Sequence, residues 1–287
     1  MQTNSNDKLA DAHAQMVHAI ESLVTGEDWA EMLRAASRFH RYSFGNVCLI
    51  LAQRKDATRV GGYRTWRALG RQVRRGERGI AILAPCVTRG PRAGERDEDG
   101  RDEPASVVRG FRVAHVFDIS QLTDTSPLPA VEPVSLEGDA PDGLWRGLAE
   151  QVAAGGFNLL RADCRPANGT THFLARTVVV RPDLAPSQAA KVLAHELAHT
   201  RLHEGNEYRA GCRGRAEVEA ESVAFLVCAA AGVGTGRYSF PYVARWADGD
   251  VALVRESAER VLGTARAITA ALGLEPHLEA PTEAILA

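Results

Sequence analysis

Residues 195–199 read HELAH, inside a stretch, PSQAAKVLAHELAHTRLH (186–203), that opens on Pro186 and closes before Gly205. Proline suits the first turn of a helix and glycine the residue just past its end, so a helix from about 186 to 203 is expected. Positions four apart share a helix face, and His195 and His199 can aim ring nitrogens at one metal ion. Glu196 sits beside the first imidazole and can reach a water at that ion without ligating it. Zinc brings the pKa of such a water to about 7, and a carboxylate placed there takes up its proton during attack on a carbonyl. The plainer alternative is a pair of histidines on an ordinary helix face.

A third protein ligand must come from elsewhere. A metzincin has a histidine six residues beyond the second, but that position here is Gly205. Downstream, Glu217-Val218-Glu219-Ala220-Glu221 lies on a second expected helix, from about 215 to 231 and ending at Gly232. At about 100° per residue Glu217 and Glu221 share a face while Glu219 points nearly opposite. Glu217 is read as the third ligand and Glu221 as the carboxylate holding a ligating histidine by its other nitrogen. The same geometry allows the reverse assignment. His203 continues the i, i+4 series as a second-layer partner of the site or of the helix terminus. Tyr242, with Tyr238 nearby, can bring a phenol to the site to stabilise an oxyanion, or can belong to the core. His172 and Cys164 have no fixed spacing to the motif and read as structural.

Upstream the balance of charge changes. From Arg54 to Arg92 the cations are Arg54, Lys55, Arg59, Arg64, Arg67, Arg71, Arg74, Arg75, Arg78, Arg89 and Arg92, opposed by Asp56 and Glu77 alone. Arginine's planar fork suits phosphate, and Tyr42, Tyr63 and Trp66 lie in or beside the run. Arg64, Trp66, Arg67, Arg71, Arg74, Arg75, Arg78, Tyr63 and Tyr42 are therefore candidates for a single-stranded nucleic acid groove, with cations for the backbone and flat rings for bases. The alternative is a solvated basic face over core aromatics.

The rest of the chain supplies the frame. At 287 residues two domains are expected, and 45% apolar with 24% charged residues is ordinary for a globular protein. Net charge is only −2, so the basic run is local. The sequence lacks an apolar run long enough to span a membrane and opens on polar residues, MQTNSNDKLADAHAQM, unlike a secretory signal. The five cysteines include no C-x-x-C pair and read as reduced thiols of a cytoplasmic protein, with Cys48 and Cys228 in apolar runs. Helical spacing covers 7–24 and 27–39. Residues 79–87 and 107–119 read as strands pairing around the charged loop 94–103. Later come a helix near 142–154, a strand at 177–181 and a helix over 250–272. The expectation is an α+β chain. Residues 1–130 hold helices and a small antiparallel sheet, 131–141 a proline-containing linker, and 142–287 a mostly helical, zincin-like domain with a short sheet.

Several blocks also resemble a known family. YSFGNVCLI (42–50), GGYRTWRALGRQVRRGERGIAIL (61–83) and VFDISQ (116–121) resemble the N-terminal single-stranded-DNA-binding domain of ArdC-type antirestriction proteins. HELAH with the later EVEAE resembles the metallopeptidase half of the same proteins and, more broadly, the ImmA/IrrE metallopeptidases, where two histidines and a downstream glutamate form a gluzincin-like site. YSFPYVARW (238–246) fits the ending of the ArdC type. The resemblance implies single-stranded DNA binding, a zinc-peptidase fold holding one Zn2+, a protein or peptide substrate, and protection of incoming DNA from restriction. Two other readings stand beside a DNA-directed protease: an antirestriction DNA binder whose zinc site is structural or vestigial, and a free peptidase acting on a regulatory protein.

Overall fold

The computed structural model describes residues 2–23, 25–39, 41–90, 105–126, 142–204, 213–233 and 250–274. The fold is α+β, with helices and two small three-stranded sheets. Contacts divide the described chain into two compact units: residues 2–19 with 48–126, and residues 20–47 with 142–274. The charged loop, the linker at 131–141 and the 238–246 segment with Tyr238 and Tyr242 lie outside the described residues.

Helix α1 (Gln2–Glu21) buries Ala12, Met16 and Ile20 at successive i, i+4 positions. Helix α2 (Gly26–Arg38) starts on a reciprocal cap: Asp28 N–H donates to Thr25 Oγ1 at 3.1 Å, and Thr25 N–H donates to the Asp28 carboxylate at 2.8 Å. Its apolar stripe of Trp29, Met32, Leu33 and Ala36 is buried. Helix α3 (Phe44–Gln53) follows, with Val47, Leu49 and Ile50 fully buried.

In the first unit strand β1 (Val60–Gly62) leads into the short helix α4 (Tyr63–Ala68). Strands β2 (Ile80–Gly90) and β3 (Ala105–Asp118) pair antiparallel as expected, β1 adds to the other side of β3, and Arg109 is the extra residue of a bulge opposite Cys86/Val87. The sheet is pinned at one corner by Asp118, which is 1% exposed. Its carboxylate accepts backbone N–H groups of Thr58 at 2.8 Å, Arg59 at 2.9 Å and Ser120 at 2.9 Å, capping the turn Ile119–Gln121.

The second unit is built on helix α6 (Pro186–Leu202), which starts on the expected proline. Helix α5 (Asp142–Ala154) buries Leu144, Leu148 and Val152, and helix α7 (Arg213–Ala230) buries residues nearly all round, as a central helix must. Helix α8 (Val251–Ala271) is capped by Asp250, which accepts from Ala252 N–H at 2.8 Å. Strands β4 (Asn158–Arg161), β5 (Gly169–His172) and β6 (Thr177–Val180) form a sheet of order β4-β6-β5, with β5 antiparallel to β6 along one edge. Strand β5 lies so close to α6 that a Cβ on Gly169 would sit 2.5 Å from Val192 and 2.8 Å from the Glu196 carboxylate. Only glycine permits that approach. Helix α2 packs on α7, where the Trp29 indole N–H donates to Ser222 Oγ at 2.8 Å in the buried core.

Candidate metal centre

His195 and His199 stand one turn apart on α6, and their Nε2 atoms approach to 3.1 Å. From α7 the Glu217 carboxylate comes within 3.4 Å of His195 Nε2 through one oxygen and within 3.8 Å of His199 Nε2 through the other. Three N and O donors held tetrahedrally at about 2.0–2.1 Å from zinc lie about 3.3 Å from one another. The observed separations, with the two to Glu217 made by different oxygens, are of that order, and one donor atom from each residue lies within 4.8 Å of the others, so the donor set suits a small divalent ion. Among the described residues this is the one cluster of histidine, cysteine and carboxylate side chains with such convergence. His199 is buried with 5% of its side chain exposed, whereas Glu217 is 49% exposed, so the cluster opens to solvent on the Glu217 side.

The outer nitrogens are also engaged. His195 Nδ1 meets Glu221 Oε2 at 3.1 Å, and Lys191 Nζ holds the other Glu221 oxygen at 2.9 Å. His199 Nδ1 meets His203 Nδ1 at 2.9 Å, and His203 Nε2 meets Glu219 Oε2 at 2.9 Å. Glu219 lies off the face shared by Glu217 and Glu221, as its spacing leads one to expect, and that side of α7 is interior. It is 1% exposed and held by Arg215 at 2.8 Å, with Arg260 at 3.7 Å. Helical spacing sets direction around α7, but packing between α6 and α8 decides that this direction is interior. Lys191, Glu219 and Thr171 are the partners that spacing from the motif missed. Lys191 alone carried a sequence signal, four residues before His195.

Glu196 is 5% exposed and accepts the Thr171 hydroxyl of β5 at 2.7 Å. Burial pushes its carboxyl above the usual range, while the His195 charge and the Thr171 hydrogen bond hold it down. Contacts with His195 and His199 hold the Glu217 carboxyl well below the ordinary range against its burial. Burial opposes a charge on His195, but Glu217 and Glu221 outweigh it and raise that imidazole to about 9. His199 is shifted the other way, first by burial. Burial opposes the Glu219 charge, yet the hydrogen bonds with His203 and Arg215 help bring that carboxyl down to about 2.

The structure sorts the candidate DNA contacts into two groups. Arg64, Arg67, Arg75, Arg78 and Tyr63 are exposed, and the four guanidiniums make no hydrogen bond or ion pair with a described residue. Trp66 is instead 2% exposed with its indole N–H on the Phe117 carbonyl at 2.8 Å, so its face is unavailable to a base. Arg71 is 8% exposed and donates to the Ser126 carbonyl at 2.6 Å. Arg74 is bound to Glu77 at 2.6 Å and to the carbonyls of Ser120 and Leu122 at 2.7 and 3.2 Å. Tyr42 packs edge-on against Phe39, burial raises its phenol to about 12, and its carbonyl accepts from Arg266. These four are engaged within the protein. Tyr242 lies outside the described residues.

Comparison with known proteins finds two family matches along the chain. Residues 7–117 match the family of the N-terminal domain of anti-restriction factor ArdC, and residues 156–231 match the IrrE N-terminal-like domain of a peptidase family. The two matches, in this order, support an ArdC-type antirestriction protein. An uncharacterized protein of Bacillus anthracis is 25% identical over 254 residues, covering 77% of this chain; the chain spans 43% of that relative's length. The crystal structure of the antirestriction ArdC protein from the R388 plasmid, metal-free, aligns with a TM-score of 0.47 at 20% identity over 81% of this chain and 83% of that one. Its Mn(II)-bound form aligns with a TM-score of 0.48 at 18% identity over 80% and 85%.

Proposed function

We propose that this chain is a zinc metallopeptidase of the antirestriction type that works at single-stranded DNA. The observation that carries the reading is the convergence of His195, His199 and Glu217, with Glu196 beside them, buried and uncommitted to the cluster. A structural zinc site is closed by four protein ligands, whereas a catalytic one has three and keeps a position open. Here three side chains converge among the described residues, and the half-exposed Glu217 marks an accessible side. That favours a catalytic over a purely structural site.

In this reading His195 Nε2, His199 Nε2 and a Glu217 oxygen hold the ion, and Glu221 fixes the first imidazole by its outer nitrogen. A divalent ion there supplies Lewis acidity toward a scissile carbonyl and toward water. Glu196 accepts the proton of the attacking water and passes it to the leaving amine. Thr171 keeps that carboxylate aimed from β5. The 131–141 segment links a DNA-binding region within residues 1–130 to the peptidase region 142–287, and the exposed Arg64, Arg67, Arg75 and Arg78, with Tyr63, contact DNA. No helix among the described residues is long and apolar enough to cross a membrane, which suits action on cytoplasmic DNA.

The test is cleavage of a DNA-bound protein by full-length chain, with and without single-stranded DNA, wild type against Glu196→Gln. Glu196-dependent cleavage that single-stranded DNA accelerates is expected, because a shared strand raises effective concentration. Equal products from both proteins, or none under either condition, sinks the enzyme reading.

A further inference from the structure

We propose that Glu219 and His203 are positioning residues that fix His199 in the one tautomer able to bind a metal ion, and so set the metal affinity of the site. The inference rests on the metal centre proposed above and follows the line of hydrogen bonds behind His199. Glu219 is buried and faces Arg215 at 2.8 Å and Arg260 at 3.7 Å. An ionised carboxylate only accepts hydrogen bonds, so the 2.9 Å contact with His203 requires a proton on His203 Nε2. A neutral His203 then presents a bare Nδ1, and the 2.9 Å contact with His199 Nδ1 requires the proton on the His199 side. That places the lone pair of neutral His199 on Nε2, which faces His195 Nε2 and Glu217.

The competing arrangement makes His203 a cation. Its Nδ1–H would then donate to His199, and the proton of neutral His199 would move to Nε2, where a metal must bind. Glutamine at 203 separates the two, because it carries no charge and reproduces only the first arrangement. His195 receives the same service from Glu221 directly. His199 receives it through one extra imidazole, because α6 ends here: His203, four residues on, is the residue that closes the helix.

Glutamine has the same donor and acceptor pair as a neutral histidine and can bridge the gap: its oxygen accepts from His199 and its amide donates to Glu219. Phenylalanine keeps the ring volume and has neither group. The experiment measures affinity of the full-length chain for Zn(II) by chelator competition, together with the visible absorption spectrum of the Co(II)-loaded protein. His203→Phe is expected to raise the Kd by about 10–100-fold and to change the Co(II) spectrum, while His203→Gln recovers most of the affinity. A Kd for His203→Phe within about twofold of wild type, with an unchanged Co(II) spectrum, overturns the proposal, as does a glutamine variant as impaired as phenylalanine. Should His203→Phe fail to fold by circular dichroism, Glu219→Gln decides: about a threefold or greater rise in Kd is expected, and an unchanged Kd overturns it. A wild type that takes up neither ion overturns the metal centre itself, an outcome distinct from equal binding by wild type and variants.

Discussion

Thr171 donates its hydroxyl to the Glu196 carboxylate across 2.7 Å, joining the sheet edge to the motif helix. The bond holds the proposed base in one rotamer and favours its ionised form. Thr171→Val keeps the shape but removes the donor. We expect kcat to fall about tenfold, with zinc content by mass spectrometry unchanged. A variant as active as wild type would show that Glu196 needs no such orientation.

The glutamates of α7 separate by metal content. Glu217→Ala removes a proposed ligand and is expected to leave the purified chain nearly metal-free. Glu221→Ala removes the shared partner of His195 Nδ1 and Lys191 but no proposed ligand, and should weaken binding by about 10–100-fold. The reverse order in chelator titrations would exchange the two roles.

The arginines separate by partner. Arg75→Ala combined with Arg78→Ala should weaken single-stranded DNA binding for every sequence. It should also flatten the plot of log affinity against log salt by about 0.7 for each phosphate that is no longer neutralised. Arg74→Ala, by contrast, breaks hydrogen bonds to Glu77, Ser120 and Leu122, so its main effect should appear in thermal stability. Anisotropy on a labelled oligonucleotide and a melting curve distinguish them.

Asp118 gives a pH signature. Its burial raises the carboxyl pKa, but hydrogen bonds from Ser120, Arg59 and Thr58 outweigh that and hold it below the ordinary value. A pKa lowered on folding stabilises the fold fully above the unfolded value of about 3.9, and the benefit is lost as pH falls through the folded one. Asp118→Asn should therefore cost about 2 kcal/mol at pH 7, within the range for hydrogen bonds to a charged group, and less near pH 3. Urea unfolding at both pH values checks it; a pH-independent difference would rule it out.

Trp29 is fully buried, with its N–H on Ser222. Trp29→Ala should destabilise the second unit by about 3–5 kcal/mol, and Ser222→Ala by about 1–3 kcal/mol through the orphaned indole N–H. Unfolding followed by circular dichroism reads both.

Much of this architecture was legible in the residues. Pro186, the HELAH spacing and Gly232 bound α6 and α7 to within two or three residues, because long periodic helices carry strong signals at both ends. The β2–β3 pairing followed from two β-rich runs flanking a charged loop. Strands β4 and β5 were not visible: each has four residues and largely exposed or half-exposed side chains, so no alternation marks them. Helix α3, nearly continuous in apolar residues, shows no period at all. At the site, spacing along α6 marked His195, His199 and Glu196 and spacing along α7 marked Glu217, while Thr171 and the burial of Glu219 depend on packing between elements. Composition did not separate the exposed Arg64, Arg67, Arg75 and Arg78 from Trp66, Arg71, Arg74 and Tyr42, since it does not reveal which side chains the fold has already engaged.

The packing of α2 on α7 bears on how such a chain can be inherited. Residues 26–38 fall inside the stretch that matches the ArdC N-terminal domain, yet they close the hydrophobic core around the helix that bears Glu217. A recombination event that cut the gene at the 131–141 segment would hand on an IrrE-like region lacking one of its own walls. The two matched regions are therefore expected to be stable only when inherited together, or when the second carries a substitute for α2.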